Sequence, residues 1–109
     1  MIPQYKKNKL KELKKYNLAD YVQSSWTFNG GHQLYVEGFT VHLNCAIQKG
    51  TSTAVFVLPK ELRPKKAMFF GVTTADSSAY IQINENGTLY INQANVGKLI
   101  FINISYLFI

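Results

Sequence analysis

The sequence predicts an all-β fold, an antiparallel β-sandwich or jelly-roll-like barrel, with a short N-terminal helical or linker segment. From residue 24 onward, short stretches of alternating or apolar residues are separated by frequent turn signals, and two of these are Asn-Gly pairs. No helical period appears in this part of the chain. With 109 residues, of which 47% are hydrophobic and 14% aromatic, the chain can bury one core. We therefore expect a single compact β domain with an appendage.

The appendage is basic. Residues 1–23 hold six lysines and two acids, a net charge of +4, whereas residues 24–109 carry a net charge of only +2. Leu10 and Leu13 stand at helical spacing among good helix formers, which predicts a short helix over about Lys9 to Tyr16. We divide the chain into 1–23, a basic arm or linker helix, and 24–109, the β domain. That domain is expected to fold without residues 1–20.

Two interpretations of the basic segment stay open. It is either an arm that binds nucleic acid or an anionic surface, or a solvated linker that leads into the domain or packs on a neighbouring subunit. The linker is favoured because a run of lysines is usually a solvated face and no arginine accompanies it.

The central element of the predicted domain is a strand over Phe39–Gln48. Its odd-numbered residues are apolar and its even-numbered residues are mostly polar, a period of two that indicates one buried face. Thr53–Leu58 is predicted to return as the next strand, and two prolines then end it. Cys45, the only cysteine, lies on the apolar face, so we expect an inert core residue, no intrachain disulfide and no Cys-based zinc site.

The remaining strands follow from alternation and turn chemistry. Trp26–Phe28 leads into Asn29-Gly30-Gly31, and Gln33–Val36 is the partner strand. Ala79–Asn84 and Thr88–Asn92 form a hairpin around Asn86-Gly87. Trp26, the only tryptophan, and Arg63 are interpreted as structural residues, the first as a packing anchor.

The segment 99–109 is almost continuously apolar. A strand with one solvated face would alternate, so we expect both faces to be covered, either by another subunit or by the second sheet of a sandwich. One face holds the residues that we take as subunit-interface candidates: Ile100, Ile102, Ile104, Tyr106 and Phe108.

The motif order resembles the C-terminal head domains of bacteriophage receptor-binding and tail-fibre proteins over about residues 24–108. The residues that carry this resemblance are Trp26, Gly38-Phe-Thr-Val-His-Leu-Asn, Lys49-Gly50-Thr51, Leu58-Pro59, Arg63-Pro64, Ala79-Tyr-Ile-Gln-Ile, Asn86-Gly87-Thr88 and Ser105-Tyr106. The resemblance implies a homotrimeric β-sandwich knob at the tip of a phage tail or baseplate, which binds saccharide on the host cell surface.

The residues themselves favour binding over catalysis. His32 and His42 are the only histidines, and no Ser-His-acid or metal-ligand spacing can be drawn from them, so we expect no enzyme activity, no metal and no cofactor. Sugar sites on β scaffolds combine loop polar groups with an aromatic face. On that basis the saccharide-binding candidates are His32, Tyr35, Asp76, Tyr80 and Asn95.

Location and partners follow from the same reasoning. The chain has no apolar run long enough to cross a membrane and its first 15 residues are polar and basic, so a reducing, intracellular site of synthesis and no membrane insertion are expected. The resemblance implies that this site is the bacterial cytoplasm. The resemblance implies residence in the virion, with host cell-wall saccharide, other tail or baseplate proteins and two further copies as partners. Nucleic acid is not expected. The alternative is a small structural or assembly protein of a virion, whose basic N-terminal arm contacts a partner or nucleic acid.

Overall fold

The structure, a computed structural model, describes residues 13–74, 78–92 and 99–108. These residues form eight antiparallel strands in the sheet order β1-β2-β3-β8-β5-β6-β7-β4. The strands are β1 (Leu13–Tyr16), β2 (Thr27–Glu37), β3 (Thr40–Gln48), β4 (Ala54–Val57), β5 (Met68–Thr74), β6 (Ser78–Ile83), β7 (Thr88–Asn92) and β8 (Leu99–Leu107). The all-β, antiparallel prediction is confirmed.

The sheet divides into two four-stranded layers, which we call the first layer (β1, β2, β3 and β8) and the second layer (β5, β6, β7 and β4). Within the first layer, β3 and β8 pair along their whole length, from Thr40 with Leu107 to Gln48 with Leu99. Between the layers, β5 pairs with β8 only through Thr73 and Thr74. Because the buried side chains of both layers form one cluster, the two layers pack face to face as a sandwich. They are joined at the corner where β8 of the first layer pairs with β5 of the second.

The alternation predicted for β3 is confirmed, with Val41, Leu43, Cys45 and Ile47 buried on one face. Phe39 is the exception to the prediction. It lies in the turn before β3 and is exposed, because the chain reverses at Gly38, which has a φ of 61°. Burial raises the pKa of the Cys45 thiol to about 12, so Cys45 is the inert core residue that we expected.

Within this chain, one face of β8 is covered by the second layer and the other face is exposed. Ile100, Ile102, Ile104 and Tyr106 are buried in the chain's own core, whereas Phe101 and Leu107, on the other face, are about half exposed, at 48% and 53%. The fifth candidate, Phe108, is partly buried and packs against the same core. The four buried side chains are therefore not free to form a subunit interface. They are covered by the second layer, which was one of the two alternatives that the sequence left open.

The predicted helix over Lys9 to Tyr16 is wrong for its described residues, since Leu13–Tyr16 form β1 and pair with β2. Lys9 to Glu12 lie outside the described residues. A helix this short is marginal alone, and lysines in its first turn oppose the helix dipole. Pairing with the edge of β2 satisfies the same backbone groups more effectively.

Residues 17–23 continue from β1 into the core. A one-turn 3₁₀ helix, Leu18–Asp20, is capped by the side chain of Asn17, and Leu18 is only 1% exposed. Residues 21–23 then lie along the edge of β4, where Gln23 N–H donates to the Val55 carbonyl at 2.8 Å and Val57 N–H donates to the Tyr21 carbonyl at 3.0 Å. The burial of Leu18 and the pairing of Leu13–Tyr16 with β2 argue against the expectation that the domain folds without residues 1–20.

Residues 58–64, a Leu-Pro-x-x-x-Arg-Pro element, have a structural role, as predicted for Arg63. Its middle forms a 3₁₀ turn, Lys60–Leu62, and Arg63 Nε donates to the Leu58 carbonyl at 3.4 Å. Leu58 N–H donates to the carbonyl of Gly87, and Tyr106 Oη donates to the Leu62 carbonyl at 2.6 Å. The element thus joins the β6–β7 turn to the end of β8.

Trp26 is the packing anchor that the sequence suggested. It is 6% exposed, and its Nε1–H donates to Ser52 at the carbonyl (3.2 Å) and at Oγ (3.1 Å). The buried ammonium of Lys49 lies 5.0 Å from the centre of the Trp26 ring and donates to the carbonyls of Gly50 and Ser52. Burial lowers the pKa of Lys49.

Candidate functional site

The first candidate site is a cleft along β1 and β2 with a volume of about 460 Å³, which we call the β1–β2 cleft. It contains two of the predicted saccharide-binding residues, His32 and Tyr35. The lining residues are Leu13, Lys15, Tyr16, His32, Gln33, Leu34, Tyr35 and Glu37.

Strand register explains why these side chains meet. Lys15 pairs with Tyr35, and Leu13 pairs with Glu37, so four outward side chains stand side by side on two neighbouring strands. Leu13 and the Lys15 stem supply apolar surface, and the charged ends of Lys15 and Glu37 supply a donor and an acceptor. The cleft exists only because residues 13–16 form a strand.

His32 approaches the cleft from the core side. A register shift between Phe28 and His32, with Gly30 at a φ of 111°, lets the His32 ring stack on Phe28 with a centroid distance of 4.0 Å and an interplanar angle of 15°. Among the described residues, Nδ1 of His32 is buried and has no hydrogen-bond partner. A buried polar atom of this kind is costly unless something else bonds to it.

Tyr35 is held in place by its neighbours on the outer face of the first layer. Its ring stacks on the ring of His42 at 4.7 Å and 20°, and Nδ1 of His42 lies 2.8 Å from Oγ of Ser105. In register, Lys15, Tyr35, His42 and Ser105 form one row across β1, β2, β3 and β8. The row orients the Tyr35 ring beside the cleft.

A second row lies beside the first and is made of amides. Asn44 pairs with Gln33 on one side and Asn103 on the other, and Asn44 Nδ2 donates to Gln33 Oε1 at 3.3 Å. Sequence reasoning did not select Gln33, His42, Asn44 or Ser105. The outward positions of His42 and Asn44 were readable from the alternation of β3, but their contacts with Ser105 and Asn103 depend on the β3–β8 pairing, for which no local pattern exists.

The contact between His42 and Ser105 is the nearest approach to a catalytic pair. In the described part of the chain, no Asp or Glu hydrogen-bonds to His42 to orient it as a base. Ser105 lies within β8 and pairs with β3, where the backbone N–H groups of a strand are used by the sheet ladder. The geometry assigns this pair the role of orienting the Tyr35 ring.

Tyr16, one of the residues that line the cleft, has charged side chains on both sides. Lys14 lies with its ammonium 5.0 Å from the centre of the Tyr16 ring, and a hydrogen bond to Tyr16 raises the pKa of Lys14. Tyr16 Oη in turn donates to Glu61 Oε1 at 3.2 Å. Tyr16 is therefore held between a cation and a carboxylate at the base of β1.

The other three predicted residues are not brought to this cleft. Tyr80 lies on β6 in the second layer, where its ring is 6.5 Å from that of Phe69. Asp76 and Asn95 lie outside the described residues. The five candidates thus give one pair, His32 and Tyr35, and one residue on a separate surface.

Two further observations bear on partners. In the described ranges, no three His, Cys, Asp or Glu side chains lie close enough together to hold a metal ion. No helix in the same ranges has the length and apolar character needed to span a bilayer.

The sequence of the chain matches no protein-family model and no curated protein sequence. The fold and the β1–β2 cleft are therefore the basis for assigning a function.

Proposed function

We propose that this chain is a non-enzymatic receptor-binding head domain of a phage tail or baseplate, which recognises saccharide on the host cell surface through the β1–β2 cleft. The observation that carries this proposal is the meeting of an oriented aromatic ring, Tyr35, with polar groups of both kinds in one concave site. The phage setting comes from the motif resemblance over residues 24–108.

Saccharide recognition needs an apolar surface for the C–H face of the sugar ring and fixed polar groups for its hydroxyls. Tyr35 supplies the first, and its stacking on His42 removes rotational freedom before a ligand arrives. Gln33, Lys15 and Glu37 supply donors and acceptors around it.

The size of the cleft is also suitable. Its volume of about 460 Å³ falls within the range of roughly 300–1,000 Å³ that small-molecule sites occupy. A terminal residue or a short repeat of a cell-wall polymer would fit this volume better than a folded protein partner would.

The test is a glycan array and a binding assay on bacterial cells, probed with the wild-type chain, with Tyr35→Ala and with Val57→Ala. Val57 is an exposed apolar side chain on β4, outside the cleft, so its substitution is the control. We expect Tyr35→Ala to weaken binding about tenfold, a loss of about 1.4 kcal/mol, and Val57→Ala to leave it unchanged.

Two outcomes would overturn the proposal. One is wild-type chain that binds no saccharide and no cells at millimolar sensitivity. The other is binding of duplex DNA with a strong dependence on salt, which would favour the alternative function, an assembly protein with a basic arm. The observation that favours this alternative is the exposure of Lys14 and Lys15 at the start of the described residues.

The proposed head domain is a homotrimer at the tail tip. The threefold symmetry is taken from the resemblance. The residues that support a subunit interface in the structure differ from the interface candidates named from the sequence. Phe39, Phe101 and Leu107 are each about half exposed, and the Phe39 and Phe108 rings lie 6.3 Å apart at one end of the sheet. Exposed apolar side chains of this kind are the ones that a neighbouring copy would cover.

A further inference from the structure

A second surface, on the layer opposite the cleft, also combines rings with amides. On the outer face of β5, β6 and β7, Phe69 is 63% exposed and Tyr80 is 39% exposed, and their ring centroids lie 6.5 Å apart at an interplanar angle of 48°. We call this surface the aromatic platform and define it as Phe69, Gly71, Tyr80, Gln82 and Tyr90.

The register of the three strands places these residues in two rows. Gln82 pairs with Phe69 on one side and with Tyr90 on the other, so an amide stands between two rings. Gln82 Nε2 donates to Asn84 Oδ1 at 2.7 Å, which orients the amide and leaves its carbonyl oxygen as an acceptor. In the next row Tyr80 pairs with Gly71.

Gly71 leaves space open on the outer face of β5. It is the outward residue of β5 opposite Tyr80, and a Cβ built at this position would meet no atom within 4 Å. The space beside the Tyr80 ring is therefore open down to the backbone of β5. A flat ligand can rest on that backbone while one of its faces contacts Tyr80 and an edge contacts Phe69.

The platform carries no charge. The sequences of β5 (MFFGVTT), β6 (SAYIQI) and β7 (TLYIN) contain no Asp, Glu, Lys or Arg. The β1–β2 cleft, in contrast, has Lys15 and Glu37 on its walls. Nucleic acid or an acidic polymer would need cations at its site, whereas rings and amides without charge match a neutral sugar, whose C–H face stacks and whose hydroxyls bond to amides.

We infer that the aromatic platform is a second saccharide-binding surface, for a neutral pyranose that stacks on Tyr80 over the open backbone at Gly71. This inference rests on the proposed function and extends it. Two sites on one domain bind a repeating polymer more tightly than either site alone, because the second contact becomes intramolecular.

The experiment is a titration of the ¹⁵N-labelled wild-type chain with methyl glycosides of glucose, galactose and N-acetylglucosamine, followed by amide chemical shifts. We expect the amides of Gly71, Tyr80 and Gln82 to shift together with at least one of these neutral sugars. Affinity electrophoresis in gels that contain dextran, galactan or starch then measures the variants.

Three variants decide the matter. Tyr80→Ala and Phe69→Ala should each weaken platform binding roughly 2- to 12-fold, the range of a lost ring contact. Gly71→Val should weaken binding as much while leaving the thermal transition unchanged or higher, because it fills the open space without removing any packed group and valine favours strands. Tyr35→Ala is the control at the other site.

The results separate this inference from the proposed function. Loss of saccharide binding in Tyr35→Ala alone, with no change in the three platform variants, would overturn the platform and leave the cleft in place. Loss in the platform variants alone would support the platform and overturn the cleft. If Phe69→Ala lowers the mass seen by light scattering and leaves sugar binding unchanged, the surface is a contact between copies and the inference fails.

Discussion

The two layers of the sandwich have similar inner faces and different outer faces. Inside, both bury aliphatic side chains of the same kind, such as Ile102 in the first layer and Ile81 in the second. Outside, the first layer presents Lys15, Glu37 and His42, whereas β5, β6 and β7 of the second present no charged residue. The inner faces thus account for the fold, and the outer faces carry the difference in charge on which the two proposed binding surfaces depend.

The largest effect that tests this division is a charge on the inner face. Ile102→Asp would bury a carboxylate in an apolar core and should unfold the chain, with a loss above about 4 kcal/mol. Asn103→Asp, one residue further along β8 and on the exposed face, should change the free energy of unfolding by less than about 0.5 kcal/mol. Thermal melts followed by circular dichroism measure both, and a folded Ile102→Asp protein would contradict the inner-face assignment.

The next effect concerns whether residues 13–23 belong to the first layer. Leu18→Ala removes a side chain that is buried in the common core and should cost about 2–5 kcal/mol. Lys14→Ala, at an exposed position on β1, should cost little. Urea unfolding gives both values. Equal and small effects would show that the original boundary at residue 23 is correct.

Alkaline pH should weaken the inner packing of the first layer. Because the pKa of Cys45 is about 12 in the folded chain and ordinary in the unfolded chain, the unfolded state loses its thiol proton first as the pH rises above about 9. Stability is therefore complete below pH 9 and should fall by up to about 1.4 kcal/mol per pH unit between pH 9 and 12.

The control for this pH effect is Cys45→Ala, which should have a shallower slope. Burial also raises the pKa of Tyr106, so a residual slope is expected from that phenol. Urea midpoints measured at pH 8, 9, 10 and 11 provide the comparison. A slope that is unchanged by Cys45→Ala would mean that the thiol is not the titrating group.

A smaller effect contrasts two glycines, one in a close contact and one beneath the aromatic platform. A Cβ at Gly50 would lie 2.6 Å from the carbonyl oxygen of Ser25, so Gly50→Ala must displace backbone and should cost about 1–3 kcal/mol. A Cβ at Gly71 meets nothing, so Gly71→Ala should be neutral or slightly stabilising. Equal melting temperatures for the two variants would contradict the close approach at Gly50.

The smallest effect on stability is expected on the outer face of β8. Leu107→Asp should leave the thermal transition within about 0.5 kcal/mol of wild type, because the side chain is exposed in the single chain. If the trimer forms through this face, light scattering at micromolar concentration should give about three times 12.4 kDa for wild type and less for the variant. A wild-type mass near 12.4 kDa would contradict the trimer.

The strands were predictable where one face is apolar and the other polar, as in β3. β8 was misinterpreted because Phe101 and Leu107 are apolar although they lie on its solvent face. Buried and exposed residues alternate along β8, but apolar and polar residue types do not. The helix assigned to Leu13–Tyr16 failed for a related reason, since its strand state depends on a partner, β2, that lies about 20 residues away along the chain.

The candidate site was predictable only in part, because its residues come from different strands. His32 and Tyr35 were selected since they stand close in sequence beside a turn with polar groups. Lys15, His42 and Ser105 join Tyr35 only through three strand pairings. Tyr80 was grouped with the cleft residues because residue type alone does not distinguish the outer face of one layer from that of the other.

The central position of β8 affects how the chain is made. β3 and β5 both pair with β8, which follows all the other described strands in the chain. At the usual rate of about 5–20 residues per second, the ribosome needs roughly 3–10 s to travel from Gln48 to Leu99. During that interval β3 has one unpaired edge that can pair with a neighbouring nascent chain. A polysome therefore carries several such unpaired edges at once. Chaperones that bind the nascent chains during this interval would then determine how much of the product folds and how much aggregates.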